Sequence, residues 1–95
     1  MKELVMYASA WRTEDDFFDS FFSVVRAPSW HGRNFDALRD SIKGGQINEI
    51  EVPYRMVVRG LGSASNEAVA ITMEFVDLVH RLAQEGCPVE IVVEA

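Results

Sequence analysis

The sequence predicts an α/β fold, a small three-stranded parallel sheet packed with helices. Three short apolar runs with β-compatible residues, "ELVMYA", the stretch around Met56 to Val58, and "CPVEIVVEA", read as strands. Every interval between them carries helical periodicity, so each pair of strands is joined through a helical crossover, which makes neighbours parallel and the connections right-handed. The predicted order is strand, helix, helix, strand, helix, strand.

The first strand, "ELVMYA", is apolar enough to be expected buried on both faces. The first helix opens at Thr13 as N-cap, with Glu14, Asp15 and Asp16 where the helix dipole and free amides favour negative charge. Phe17, Phe18, Phe21, Phe22 and Val25 follow at helical spacing and form an aromatic core stripe rather than a cofactor box. Pro28 and Gly32 interrupt the chain. Asn34 then caps a second helix expected to run to about Lys43, with Phe35, Leu38 and Ile42 inward and Gly44 and Gly45 ending it.

"PYRMVVRGL" supplies a second, central strand, with Pro53 at its entrance where a missing amide is tolerable. The longest helix runs from Asn66 or Glu67 to about Gln84. Val69, Met73, Val76 and Val79 form one stripe, broadened by Ile71, Phe75, Leu78 and Leu82. Gly86 is its C-terminal cap. In the last strand Val89, Ile91 and Val93 share a face.

Composition narrows the class of function. The chain of 95 residues, 48% hydrophobic and without a linker-like stretch, is expected to form one domain over 1–95, since neither half holds a sufficient core. Its net charge of -6 argues against wholesale binding to nucleic acid or an anionic membrane and suits a basic partner better. No apolar run is long enough for a membrane span, and the start lacks the core of a signal peptide. With Cys87 as the single cysteine, nothing calls for an oxidising compartment, and a cytoplasmic location is expected.

Chemical motifs are sparse. The glycines of "RGLGSASNEA" lack a P-loop's Lys-Ser/Thr and a dinucleotide loop's third glycine, so they read as an ordinary strand-to-helix turn. His31, His80 and Cys87 fall in no metal-ligand spacing. His80 is expected at a helix surface and Cys87 as a small buried residue at a strand start. No nucleophile, base and orienter can be assembled, and no cofactor, metal or enzyme activity is expected. Asp36 and Asp40, at i and i+4, project from one side of the second helix, away from Phe35, Leu38 and Ile42. Taken alone they are a solvated face with weak ion pairs to Arg39 and Lys43, worth about 0.3 to 0.5 kcal/mol each.

The stretch "APSWHGRNFDALRDSIKGG" changes that reading as a unit. The proline, the pair Trp30-His31, then Gly32, Asn34 and "DALRD" resemble the loop and second helix of the barstar family, small intracellular inhibitors of barnase-type ribonucleases. "AQEGCPVEIVV" resembles the family's closing helix-to-strand junction, and the order of elements fits over nearly the whole chain. The resemblance implies a non-enzymatic inhibitor that places Asp40, supported by Asp36, where RNA phosphates would sit in a basic active site. It implies that Trp30 and His31 offer flat surfaces to the enzyme's rim and that Gly32, Asn34 and Gly44 shape the loop and the helix end.

The chain departs from the family's pattern at Arg39, Lys43 and Arg81. A tryptophan, a neutral residue and a glutamate stand there in the family's best-known member. Arg33, Arg39 and Lys43 outnumber Asp36 and Asp40 by one, so residues 27–44 carry +1 in a chain of -6. That weakens steering toward a basic cleft and suits either a different ribonuclease or an interaction module of the same fold with a non-nuclease partner.

Overall fold

The computed structural model describes residues 1–95. The elements are β1 (Lys2–Tyr7), α1 (Glu14–Val25), α2 (Phe35–Arg39) continued by a π-helical turn (Asp40–Gly44), β2 (Tyr54–Arg59), a 3-10 turn (Leu61–Ser63), α3 (Asn66–Gln84) and β3 (Val89–Val93). The sheet order is β1-β2-β3, all parallel, with Leu4 opposite Met56 and Met56 opposite Ile91. The class, the parallel pairing and the helices between successive strands are those expected from the sequence.

One face of the sheet carries the core. Met6, Tyr54, Met56, Val58 and Val89 are buried there beneath the helices, with Leu4 and Ile91 partly buried beside them. The opposite face is open, and this corrects the expectation that β1 is buried on both sides. Helices cover one side only, so the alternate residues read as a surface. Arg55 bridges Glu3 at 3.3 Å and Glu90 at 3.0 Å across three strands, and Arg59 meets Glu94 at 3.1 Å. Tyr7 is exposed.

The core between sheet and helices is aromatic. Phe17 and Phe21 of α1 meet Phe75 of α3 at ring-centroid distances of 5.0 and 5.4 Å, and Trp11 packs edge-on to Phe17 at 5.9 Å. α1 starts where expected, in a capping box: Thr13 Oγ1 accepts from the Asp16 amide while Asp16 accepts from the amide of Thr13. A second acceptor bond, from the Arg12 amide to Asp16, helps hold that carboxyl below its ordinary range. α3 begins at Asn66 behind the Ser65 cap and ends at Gln84, with Gly86 at positive φ just beyond.

Met73 is exposed rather than part of the α3 stripe. It lies two positions from both Ile71 and Phe75, hence on the far side of a helix with 3.6 residues per turn. Cys87 is only half-buried, in the turn before β3 rather than inside the strand. His80 is exposed, as expected.

Candidate functional site: the loop and helix of residues 27 to 45

The loop after α1 is held to α1 by Arg33. Its guanidinium reaches Asp15 at 3.0 Å and Asp19 at 2.6 Å, donates also to the Asp15 carbonyl, and lies over the rings of Phe18 and Phe22. The two carboxylates raise the Arg33 pKa further above its ordinary value. One cation of the +1 balance is therefore turned away from the aspartates, toward α1.

Asn34 caps α2, its Oδ1 accepting from the Ala37 amide at 2.8 Å. Asn34→Ala is expected to destabilise the protein by about 1 kcal/mol, measurable by urea unfolding, because it leaves that amide without its side-chain acceptor. Gly32 sits close by. A Cβ there would stand 3.1 Å from both Ala37 Cβ and Asn34 Nδ2, so a larger residue would require the cap to give by a few tenths of an ångström.

Helical structure does continue to Gly44, but α2 proper stops at Arg39 and the last five residues form a π-turn. The turn carrying the two aspartates stays α-helical, since the Asp40 amide donates to the carbonyls of Ala37 and Asp36. Within the widened turn Asp40–Gly44, Ser41 Oγ donates to the Leu38 carbonyl at 3.2 Å and lies 2.9 Å from His31 Nε2. Such widened turns recur at functional sites. Leu38 and Ile42 are buried and Phe35 is half-buried against Phe18, so the predicted inner stripe is present.

His31 is placed differently from the expectation. It is 7% exposed, its ring packs on Phe22 at 4.6 Å, and Nδ1 lies 2.9 Å from the Gly32 carbonyl. The Gly32 carbonyl can only accept, so Nδ1 donates to it, while Nε2 meets the Ser41 Oγ, whose own proton is directed at the Leu38 carbonyl. His31 thus ties the loop to the π-turn instead of presenting a flat surface. The His31–Ser41 pair has the spacing of a base and a nucleophile, yet Ser41 is only 3% exposed and no pocket opens on it. Trp30, by contrast, is 72% exposed, the most solvent-open large hydrophobic residue of the chain.

Asp36 and Asp40 are exposed, and none of the chain's ion pairs includes either. Arg39 and Lys43, whose partners were expected to be these aspartates, instead converge on one oxygen of Glu85, each at 2.5 Å. Glu85 is the C-cap of α3, a residue the sequence pattern did not mark as part of the site because it is distant in sequence. With Arg33 turned to α1 and Glu85 brought in, three carboxylates face two cations. The local balance is -1, not +1, and the two aspartates are left unpaired.

Lys43 foremost, then Arg39, holds the Glu85 carboxyl below its ordinary range. Because that pKa is depressed by folding, the contribution of the clamp is complete above the unfolded value and fades as pH falls through the folded one. Carbon-13 NMR is expected to show the Glu85 side chain ionised at neutral pH and titrating below the usual glutamate range, with Lys43→Gln moving it back up.

Arg39, Asp40, Lys43, Gly44, Gly45 and Ile47 line an open cleft at the end of the π-turn. Nothing stands within 4 Å of where a Cβ at Gly44 would be, so the glycine leaves backbone accessible there. No group of His, Cys, Asp and Glu side chains is arranged to hold a metal, and no helix is long and apolar enough to cross a membrane.

An exposed tryptophan and two carboxylates free of internal ion pairs thus share one loop and helix, held in place by Arg33, His31 and Glu85. A family model described as "Barstar (barnase inhibitor)" matches residues 1–94. The chain belongs to the barstar family. No curated protein matches it as a relative.

Proposed function

We propose that the protein is an inhibitor that binds a barnase-type ribonuclease and covers its active site with the face formed by residues 29–44. A ribonuclease site holds phosphate and is therefore basic, and carboxylates placed where phosphates would lie exclude RNA by charge complementarity. The observation that carries this reading is the pair Asp36 and Asp40, one helical turn apart, exposed and free of internal ion pairs while the neighbouring cations are tied elsewhere. Trp30 is the aromatic anchor, the residue type that dominates interface cores once desolvated. Gly32, Asn34 and His31 hold the loop, and Arg39 and Gly44 border the contact. The inhibitor acts from within the cytoplasm and needs no cofactor.

A 5-fluorotryptophan-labelled sample tests the face directly, because Trp11 is buried in the core and Trp30 is open to solvent. Adding a barnase-type ribonuclease is expected to shift the Trp30 fluorine resonance and leave that of Trp11 in place. Equal movement of both, or of neither at a saturating ratio, contradicts the proposed face.

The retained alternative is a module of the same fold with a non-nuclease partner, motivated by exposed Arg81 on α3 and by the cations of the cleft. It is favoured if the fluorine signals stay fixed with ribonuclease and Trp30 shifts with another protein.

A further inference from the structure

We infer that Arg39, Lys43 and Glu85 form a specificity element: the cleft beside Asp40 receives an acidic side chain of the partner. This rests on the inhibitor reading and narrows the partner to a ribonuclease whose basic site carries a carboxylate at the matching edge.

The geometry is unequal. Two cations share a single oxygen of one carboxylate, so the cluster Arg39, Lys43 and Glu85 is positive by one charge, even though Asp36 and Asp40 beside it in the chain make the whole face negative by one. No other acid of the chain pairs with Arg39 or Lys43. The two side chains are 37% and 47% exposed, close enough to solvent for an outside group to reach them. They line the same cleft as Asp40, and Gly44 adds no side chain to block it.

Charge sign then decides what fits. A uniformly basic active-site rim that meets Asp40 also brings its cations against the uncompensated charge of this pair, and like charges held together across an interface oppose binding. A partner carboxylate at that point completes the coordination instead, as a charge-assisted acceptor for guanidinium and ammonium donors. The face is therefore bipolar: acids at Asp36 and Asp40 for the phosphate-binding cations, bases at Arg39 and Lys43 for an acid. Exclusion of the wrong ribonuclease and attraction of the right one come from the same two side chains.

The test uses a barnase-type ribonuclease as probe, unmodified and as a panel in which each Lys or Arg of its active-site rim is changed singly to Glu. Inhibition constants are measured for the wild-type chain and for Arg39→Gln/Lys43→Gln, which keeps much of the aliphatic packing. Against the unmodified probe, the double variant is expected to inhibit about tenfold more tightly than wild type, the effect of roughly 1.4 kcal/mol of relieved repulsion. At one rim position the Glu change is expected to improve wild-type inhibition by a similar factor and to give the double variant no gain. A double variant no better than wild type, including one that inhibits as little as wild type does, overturns the assignment; so does a panel in which every Glu change weakens both chains alike. Should the double variant fail to fold by circular dichroism, the same comparisons are read from Lys43→Gln alone, with the same outcomes decisive. Asp40→Ala, measured beside these, separates the two levels: inhibition indifferent to Asp40 removes the parent reading, whereas inhibition that needs Asp40 but ignores Arg39 and Lys43 removes only this one.

Discussion

Phe17→Ala is expected to remove about 3 to 5 kcal/mol of folding stability, enough to leave much of the protein unfolded in mild urea. Phe17 is fully buried and is the hub of the aromatic core, touching Trp11, Phe18, Phe21 and Phe75 at ring-centroid distances between 5.0 and 6.4 Å. Truncation takes away a large apolar surface and opens a cavity at the contact between α1 and α3. The neighbouring rings are fixed by their own packing, so they close it incompletely. Urea unfolding followed by circular dichroism should show the midpoint falling with the slope unchanged, the mark of lost stability rather than of an altered unfolded state.

Asp40→Ala carries the largest expected effect on binding. Its carboxylate is exposed and forms no ion pair within the chain, so folding stability is expected to change by no more than about 0.5 kcal/mol. In the proposed complex with a basic site it would be desolvated among cations, and its removal would leave those cations buried without a counterion. A loss of about 2 kcal/mol or more is expected, a weakening of roughly thirtyfold or greater. Asp36→Ala is expected to fall in the same direction with a smaller magnitude.

Most of the fold was legible because it rests on local periodicity. The α1 phenylalanines, the α3 stripe and the caps Thr13, Asn34 and Gly86 each act within a few residues, and the crossover rule converts their order into a parallel sheet. What failed depends on what lies opposite. Whether β1 is covered on one face or two is decided by where the helices settle, and no residue of β1 records that.

The site divides in the same way. Asp36 and Asp40 could be placed on one helical side from spacing alone, and Asn34 could be named as the cap. The burial of His31 is set by Phe22 on one side and Ser41 on the other, and the π-turn shows no pattern distinct from an α-helix ending in two glycines. Pairing partners were the hardest part. Arg39 and Lys43 lie within reach of the aspartates on a helix wheel, yet both turn to Glu85, more than forty positions away in the chain. Together with the turn of Arg33 to Asp15 and Asp19, that choice takes the local balance from +1 to -1, which its sequence composition does not suggest.

On the proposed reading, the unpaired carboxylates Asp36 and Asp40 occlude a ribonuclease active site. The most direct measurement is an inhibition titration of a barnase-type ribonuclease at low and near-physiological salt, with wild type and Asp40→Ala run in parallel. Stoichiometric inhibition that is competitive with RNA, weaker at higher salt and strongly reduced by the substitution is the predicted result. Inhibition untouched by Asp40→Ala, or none by the wild type at either salt, would contradict the account.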